Sequence, residues 1–184
     1  MRSKRICSLL TAAGCAWAAV CSFLSAAAGA GADYRGAADA AWGETASVSL
    51  STATAEPGET VYIDVLIQDN PGFANCGLKI EYGDQGLLPV LKEDAVPDYQ
   101  TGTPASRLMV TVLDNPETCT VGAGMIGMMN STDNGILLTL IFTVPEDAVR
   151  GTRYPLTLTV DRFKDAGLYA VPCLAESGWI EVAP

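Results

Sequence analysis

The chain contains no histidine, which removes Ser-His and Cys-His catalytic pairs and imidazole-ligated zinc at once. What remains for chemistry is carboxylate and thiol. Glycoside hydrolysis needs two acids flanking the scissile bond, and Asp64, Glu81, Asp84, Asp114, Glu117 and Asp133 are the candidates. All six are expected on strand exteriors or in turns, the ordinary place for solvating charge, so no catalytic residue is assigned and the chain is read as a non-enzyme. The stretch Asn130-Ser131-Thr132-Asp133-Asn134-Gly135 has the oxygen-rich composition of a calcium loop. Its twelfth position is Ile141, however, where an EF-hand requires glutamate. It is read instead as a hairpin turn in which Asn134-Gly135 supplies positive φ, and no metal site or cofactor is expected. Asn130-Ser131-Thr132 is also a glycosylation sequon for a host that uses one.

The thiols divide with the chain's organisation. Arg2, Lys4 and Arg5 precede an apolar run from Ile6 to about Leu24, and small residues follow through Ala32. This pattern predicts a secretory signal peptide over residues 1–32 and hence a secreted, extracellular product. A membrane anchor is the alternative; the alanine-rich run and cleavage-like triplets favour the signal peptide, and Ala12 argues against Cys15 as a lipoprotein acceptor. Residues 33–45 are small and polar, a flexible segment, and residues 46–184 form one domain. Cys7, Cys15 and Cys21 would leave with the leader, so Cys76, Cys119 and Cys173 remain, an odd set without metal or redox spacing. They read either as buried thiols or as one bridge, Cys119–Cys173 among the possibilities. Cleavage also takes three of the 11 basic residues and none of the 21 acidic ones. An already acidic chain, of formal net charge −10, becomes more so, which disfavours nucleic acid as a partner.

Positioning falls to strands. Val61, Ile63, Val65 and Ile67 alternate with Tyr62, Asp64, Leu66 and Gln68, the period of a half-buried strand. Asn70-Pro71-Gly72 reverses the chain. Cys76, Leu78, Ile80 and Tyr82 then take one face while Asn75, Gly77, Lys79 and Glu81 take the other. Ala46 to Leu50 starts the first strand, and a short strand is expected near Leu87 to Leu91. A polar loop from Lys92 to Ser106 precedes strands near Arg107 to Leu113 and Thr120 to Met129. Ile136, Leu138, Leu140, Phe142 and Val144 are expected inward, with Leu137, Thr139 and Ile141 outward. Pro145 to Ala148 could make one helical turn. Alternation at Tyr154, Leu156, Leu158 and Val160, and again at Gly178, Ile180 and Val182, completes an all-β sandwich of about nine strands.

Several of these motifs occur in an order that resembles the cohesin modules of bacterial cellulosomes. The Pro57-Gly58-Glu59-Thr60-Val61 opening, the Asp69-Asn70-Pro71-Gly72 turn and the Tyr82-Gly83-Asp84 strand ending are similar to the family's early strands. Thr132-Asp133-Asn134-Gly135, the apolar strand after it and Pro145 to Gly151 are similar to its central turn and strand. The likeness covers most of residues 46 to 183 and implies a jelly-roll topology. It further implies a monomeric type I-like module that binds a dockerin on a cellulosomal enzyme or scaffold subunit, the dockerin bringing its own calcium.

In cohesins the dockerin lies across a sheet face that includes the strand after the Asn-Pro-Gly turn. Carried over by position, this implicates Asn75, Gly77 and Lys79, then Met128, Met129, Asn130 and Ser131, and then Leu137, Thr139 and Ile141. Ile126 joins them because it shares a strand face with Met128, while Gly122, Gly124 and Gly127 keep that region low. Leu, Ile and Met beside small residues on a sheet face would form a flat apolar patch, unless a neighbouring loop covers Leu137 and Ile141. Some cohesins carry an acid where Gly77 stands, so a more apolar contact is expected here. The alternative is a carbohydrate-binding sandwich, but only Trp42 and Trp179 would survive leader removal, a poor platform for stacking on sugars.

Overall fold

Val61, Ile63, Val65 and Ile67 are buried, and the strand they define spans Thr60–Gln68, as its period of two predicts. The computed structural model describes residues 45–184; the leader, Cys7, Cys15, Cys21 and Trp42 lie outside them. Fourteen strands are found among the described residues: β1 Ala46–Leu50, β2 Ala53–Ala55, β3 Thr60–Gln68, β4 Phe73–Glu81, β5 Leu88–Pro89, β6 Leu91–Glu93, β7 Val96–Pro97, β8 Tyr99–Thr101, β9 Met109–Asn115, β10 Thr120–Ser131, β11 Gly135–Thr143, β12 Arg153–Lys164, β13 Cys173–Glu176 and β14 Gly178–Val182. The expectation of about nine fell short because the supposed loop from Lys92 to Ser106 contains β7, β8 and a 3-10 turn at Thr103–Ala105. Pieces of two or three residues are too short to show a period. Pro145 to Ala148 closes only one turn, with Ala148 N–H donating to the Pro145 carbonyl. No described helix is long and apolar enough to cross a membrane.

Two curled sheets enclose the core. The first runs β13-β1-β3-β11-β5, with β8 also pairing β11, and the second runs β2-β14-β12-β4-β10-β9. Their facing side chains, from Val48 and Phe142 on one side to Ile80 and Leu156 on the other, form one apolar cluster. Consecutive strands mostly belong to opposite sheets, which is the sandwich arrangement expected from the strand pattern.

The chain must therefore cross between sheets, and two crossings meet at one buried side chain. Asn70, in the β3–β4 turn, is 9% exposed. Its side-chain amide donates to the carbonyls of Ser131 (3.0 Å) and Asp133 (2.9 Å) in the β10–β11 connection. Its backbone N–H donates to Asn134 Oδ1, and its own Oδ1 accepts from Gly72 N–H. The stretch around Asn134-Gly135 is thus not the expected hairpin. Strands β10 and β11 lie in different sheets, and Gly135 alone of that pair has positive φ, at 121°.

Strand β11 also departs from simple alternation. Its register against β3 slips between Ile136 and Leu138, the mark of a β-bulge. The bulge turns Ile136 outward, 39% exposed, and buries Leu137 completely. Gly102 N–H donates to the Leu137 carbonyl, and a Cβ on Gly102 would collide with the Ile136 carbonyl oxygen. Below the bulge the expected phase holds, with Leu138, Leu140 and Phe142 in the core.

The described cysteines divide between the two readings: Cys119 is disulfide-bonded, whereas the other two are thiols. Cys76 and Cys173 are free, so Cys119 and Cys173 are not bridged. Burial pushes the Cys76 thiol far above its ordinary range, and the nearby Cys173 adds to this; Cys173 itself is pushed up to about 11 by burial.

Two predictions follow from the core. Leu137→Ala and Leu138→Ala should each reduce the unfolding free energy by about 2–5 kcal/mol in denaturant titrations, whereas Met128→Ala, at a site 96% exposed, should change it by less than about 0.5 kcal/mol. A thiol that must stay protonated when folded, but ionises near 9.0 when unfolded, stabilises fully below that pH and less as pH rises above it. Stability measured upward from pH 9 should therefore fall, and Cys76→Ala should make that fall shallower.

Candidate partner-binding face

Outside the core, the second sheet presents its other surface to solvent. Register places β4 between β10 and β12, and β10 between β4 and β9. Outward residues consequently line up in rows across four strands. Leu113, Gly122, Lys79 and Thr159 make one row; Thr111, Gly124, Gly77 and Arg162 make the next; Met109, Ile126, Asn75 and Lys164 make the third.

The middle of this surface is a trough because the outward positions there carry no side chain. A Cβ on Gly122 or Gly124 would meet nothing within 4 Å, and one on Gly77 would touch only Arg162, at 3.5 Å from its Cβ. With strands about 4.8 Å apart, two glycine-bearing strands leave a groove that another backbone element can approach closely. A shallow depression of about 350 Å³ lies over these residues. Its β9 wall is apolar, with Leu113 and Met109 53% and 69% exposed, and Ile126 at its end is 50% exposed. Its β12 wall is charged: Arg162 and Lys164 stand beside Lys79, and Asp161, the extra residue of the β12 bulge, lines the depression next to Arg162. The Lys79 ammonium sits 2.8 Å from Glu81, and that carboxylate raises its pKa, first through their hydrogen bond and then through its charge.

Of the residues expected to bind a partner, Asn75, Gly77, Lys79 and Ile126 meet on this face. Met128, Met129, Asn130 and Ser131 continue β10 past its last row. There Met128 and Met129 are exposed and line a depression of about 380 Å³ against the Thr103–Leu108 segment. Asn130 Oδ1 accepts the Ala166 N–H at 2.7 Å, and the Ser131 carbonyl is held by Asn70.

Leu137, Thr139 and Ile141 do not join them, because β11 belongs to the opposite sheet. Leu137 is in the core through the bulge. Ile141 lies on that sheet's outer side in register with Tyr62, yet is only 6% exposed; the Leu88–Thr101 segment runs along the edge of its strand, with Val90 N–H donating to the Ile141 carbonyl. Thr139 donates to Asp64 Oδ1 at 2.6 Å. In their place the face gains Met109, Thr111 and Leu113 from β9 and Arg162 and Lys164 from β12. The signal for the last two was present: the inward phase at Leu156, Leu158 and Val160 would bury Arg162 and expose Phe163, a reversal of their polarity that a bulge between Val160 and Arg162 corrects.

Three of the candidate acids are engaged by neighbouring side chains. Asp64 and Glu81 lie on opposite outer faces of the sandwich and are engaged by Thr139 and Lys79. Asp114, expected outside, is buried and accepts the Tyr82 hydroxyl proton at 2.9 Å. Among the described residues no cluster of acids and cysteines could hold a metal ion.

Comparison with known proteins gives the same architecture. A non-cellulosomal cohesin from the archaeon Archaeoglobus fulgidus superposes with a TM-score of 0.64 at 16% identity, covering 76% of this chain and 92% of its own. A cohesin of Clostridium thermocellum, solved as the Coh-OlpA-Doc918 cohesin–dockerin complex, gives 0.65 at 14% identity, with 75% and 99% covered. A type III cohesin from the ScaE cell-surface anchoring scaffoldin of Ruminococcus flavefaciens gives 0.66 at 18% identity, with 77% and 89% covered. No curated protein matches the sequence. The family model described as Cohesin domain matches residues 46–182, the whole of the sandwich from β1 to β14, and the chain belongs to the cohesin family.

Proposed function

We propose that the chain is a non-catalytic module that captures a calcium-loaded dockerin on the outer face of β9-β10-β4-β12. Such capture would attach an enzyme or scaffold subunit of a polysaccharide-degrading complex. The carrying observation is the glycine trough at Gly77, Gly122 and Gly124, open to solvent on a chain of the cohesin family. Flat faces with a low centre and apolar flank suit a helix laid across strands, since backbone can approach backbone closely there. The complexed Clostridium thermocellum relative supports this reading. Calcium belongs to the partner in this account. The module acts as a monomer, exported by the leader at residues 1–32, with residues 33–45 as its tether.

A carbohydrate-binding role is less well supported. The rows of the candidate face contain no aromatic ring, and Trp179 lies on β14 under the Arg153 guanidinium, 5.3 Å from its centre. Without stacked rings a sugar platform lacks its main source of affinity.

Calorimetric titration of the mature chain against a panel of calcium-loaded dockerins should find a binder, and chelator should abolish binding without lowering the melting temperature of this chain alone. Binding to β-glucans with no dockerin bound would reverse the assignment. Gly77→Trp and Gly124→Trp should fold normally and weaken dockerin binding by at least about 1.4 kcal/mol, tenfold in Kd; wild-type affinity in both would move the site to the opposite sheet or a loop edge. Release of reducing sugar by the purified domain would contradict the non-catalytic reading.

A further inference from the structure

The β12 wall of the trough, basic on balance, is at odds with the rest of the molecule. Residues 45–184 contain seven lysines and arginines against eighteen acids. Three of the seven, Lys79, Arg162 and Lys164, stand on this one face, by their register on β4 and β12. Lys79 is matched internally by Glu81 and also feels the charge of Asp161, the one acid lining this trough. Arg162 and Lys164 make no ion pair among the described residues, whereas Arg150 and Arg153, elsewhere, are paired with Glu56 and Glu181. An unpaired cation costs nothing in water, but a partner that covers it without an opposite charge must strip its hydration uncompensated.

We propose that the face selects its partner helix by charge. The helix sets small side chains into the trough, an apolar flank against Leu113 and Ile126, and a carboxylate against the corner formed by Arg162 and Lys164. This inference rests on the dockerin reading above and specifies the contact chemistry of that partner. Acids approaching any other part of the surface meet mostly like charge, so the corner both steers the encounter and fixes the helix's orientation across the strands. A helix with lysine or arginine at that position would be rejected, because two buried like charges disfavour the wrong partner more than a lost contact does.

The test uses whichever calcium-loaded dockerin in the panel binds the wild-type chain most tightly, titrated at low and high salt against wild type, Arg162→Glu, Lys164→Glu and Lys92→Glu. Melting curves accompany each variant, since all three positions are on the surface. Wild-type affinity should fall as salt rises. Arg162→Glu and Lys164→Glu should each weaken binding at least tenfold at low salt with unchanged melting, and Lys92→Glu, which alters net charge equally but lies outside the register rows of the face, should not. Replacing the contacting acid of the dockerin by lysine should restore binding to Arg162→Glu. Wild-type affinity in both corner variants, or a loss just as large in Lys92→Glu, overturns charge selection and leaves dockerin capture standing. Failure of every dockerin to bind the wild-type chain overturns both.

Discussion

The side chain of Asn70 is the constraint on which the arrangement of strands depends. A turn that passes between two sheets buries backbone polar groups that neither sheet can satisfy, and each must find a partner. Asparagine supplies two donors and an acceptor on one short side chain, and Asn70 uses all of them. The donors hold the Ser131 and Asp133 carbonyls; the acceptor holds Gly72 N–H. The passage from β3 to β4 is thereby tied to the passage from β10 to β11. With both fixed at one end of the sandwich, β4 and β10 share the second sheet and β3 and β11 share the first. Aspartate could not donate the two bonds, and an apolar residue would leave the buried Gly72 amide unpaired at about 1–3 kcal/mol and release two part-buried carbonyls.

The candidate face follows from that placement. Glycine inside a strand gives up packing and conformational restraint, and Gly77, Gly122 and Gly124 occur where the two strands joined by the Asn70 node lie side by side. Their inward neighbours, Cys76, Ala123 and Met125, are buried, so the sheet is secured from the core side while its outer side stays bare. Stability and access are thus separated by the alternation of the strand itself. The walls then differ in chemistry because β9 contributes Met109 and Leu113 while β12 contributes Arg162 and Lys164.

Alternation was legible in the sequence wherever a strand kept its phase for five residues or more. That sufficed for the inward residues of β3, β4, β12 and β14, for the fold class, and for the part of the site on β4 and at Ile126. Phase changes were not legible. At Leu137 and again near Asp161 one extra residue enters a strand, and each bulge moves the following side chains to the other face. Consecutive leucines at 137 and 138, and Arg162 beside Phe163, were traces of those shifts. The assignment of β10 and β11 to different sheets had no local signal at all, because a Asp-Asn-Gly turn suits a hairpin and a crossover equally. Only the bonds from Asn70, more than sixty residues away, decide between them.

The central claim is that a partner lies on the second sheet's outer face and on no part of the first. Amide hydrogen exchange of the mature chain, free and saturated with its dockerin, tests this most directly, since it reads every strand in one measurement. The account predicts added protection along β4, β9, β10 and the Arg162–Lys164 end of β12, with β3 and β11 unchanged. Protection concentrated on β3 and β11, with the glycine strands exchanging as in the free protein, would contradict it.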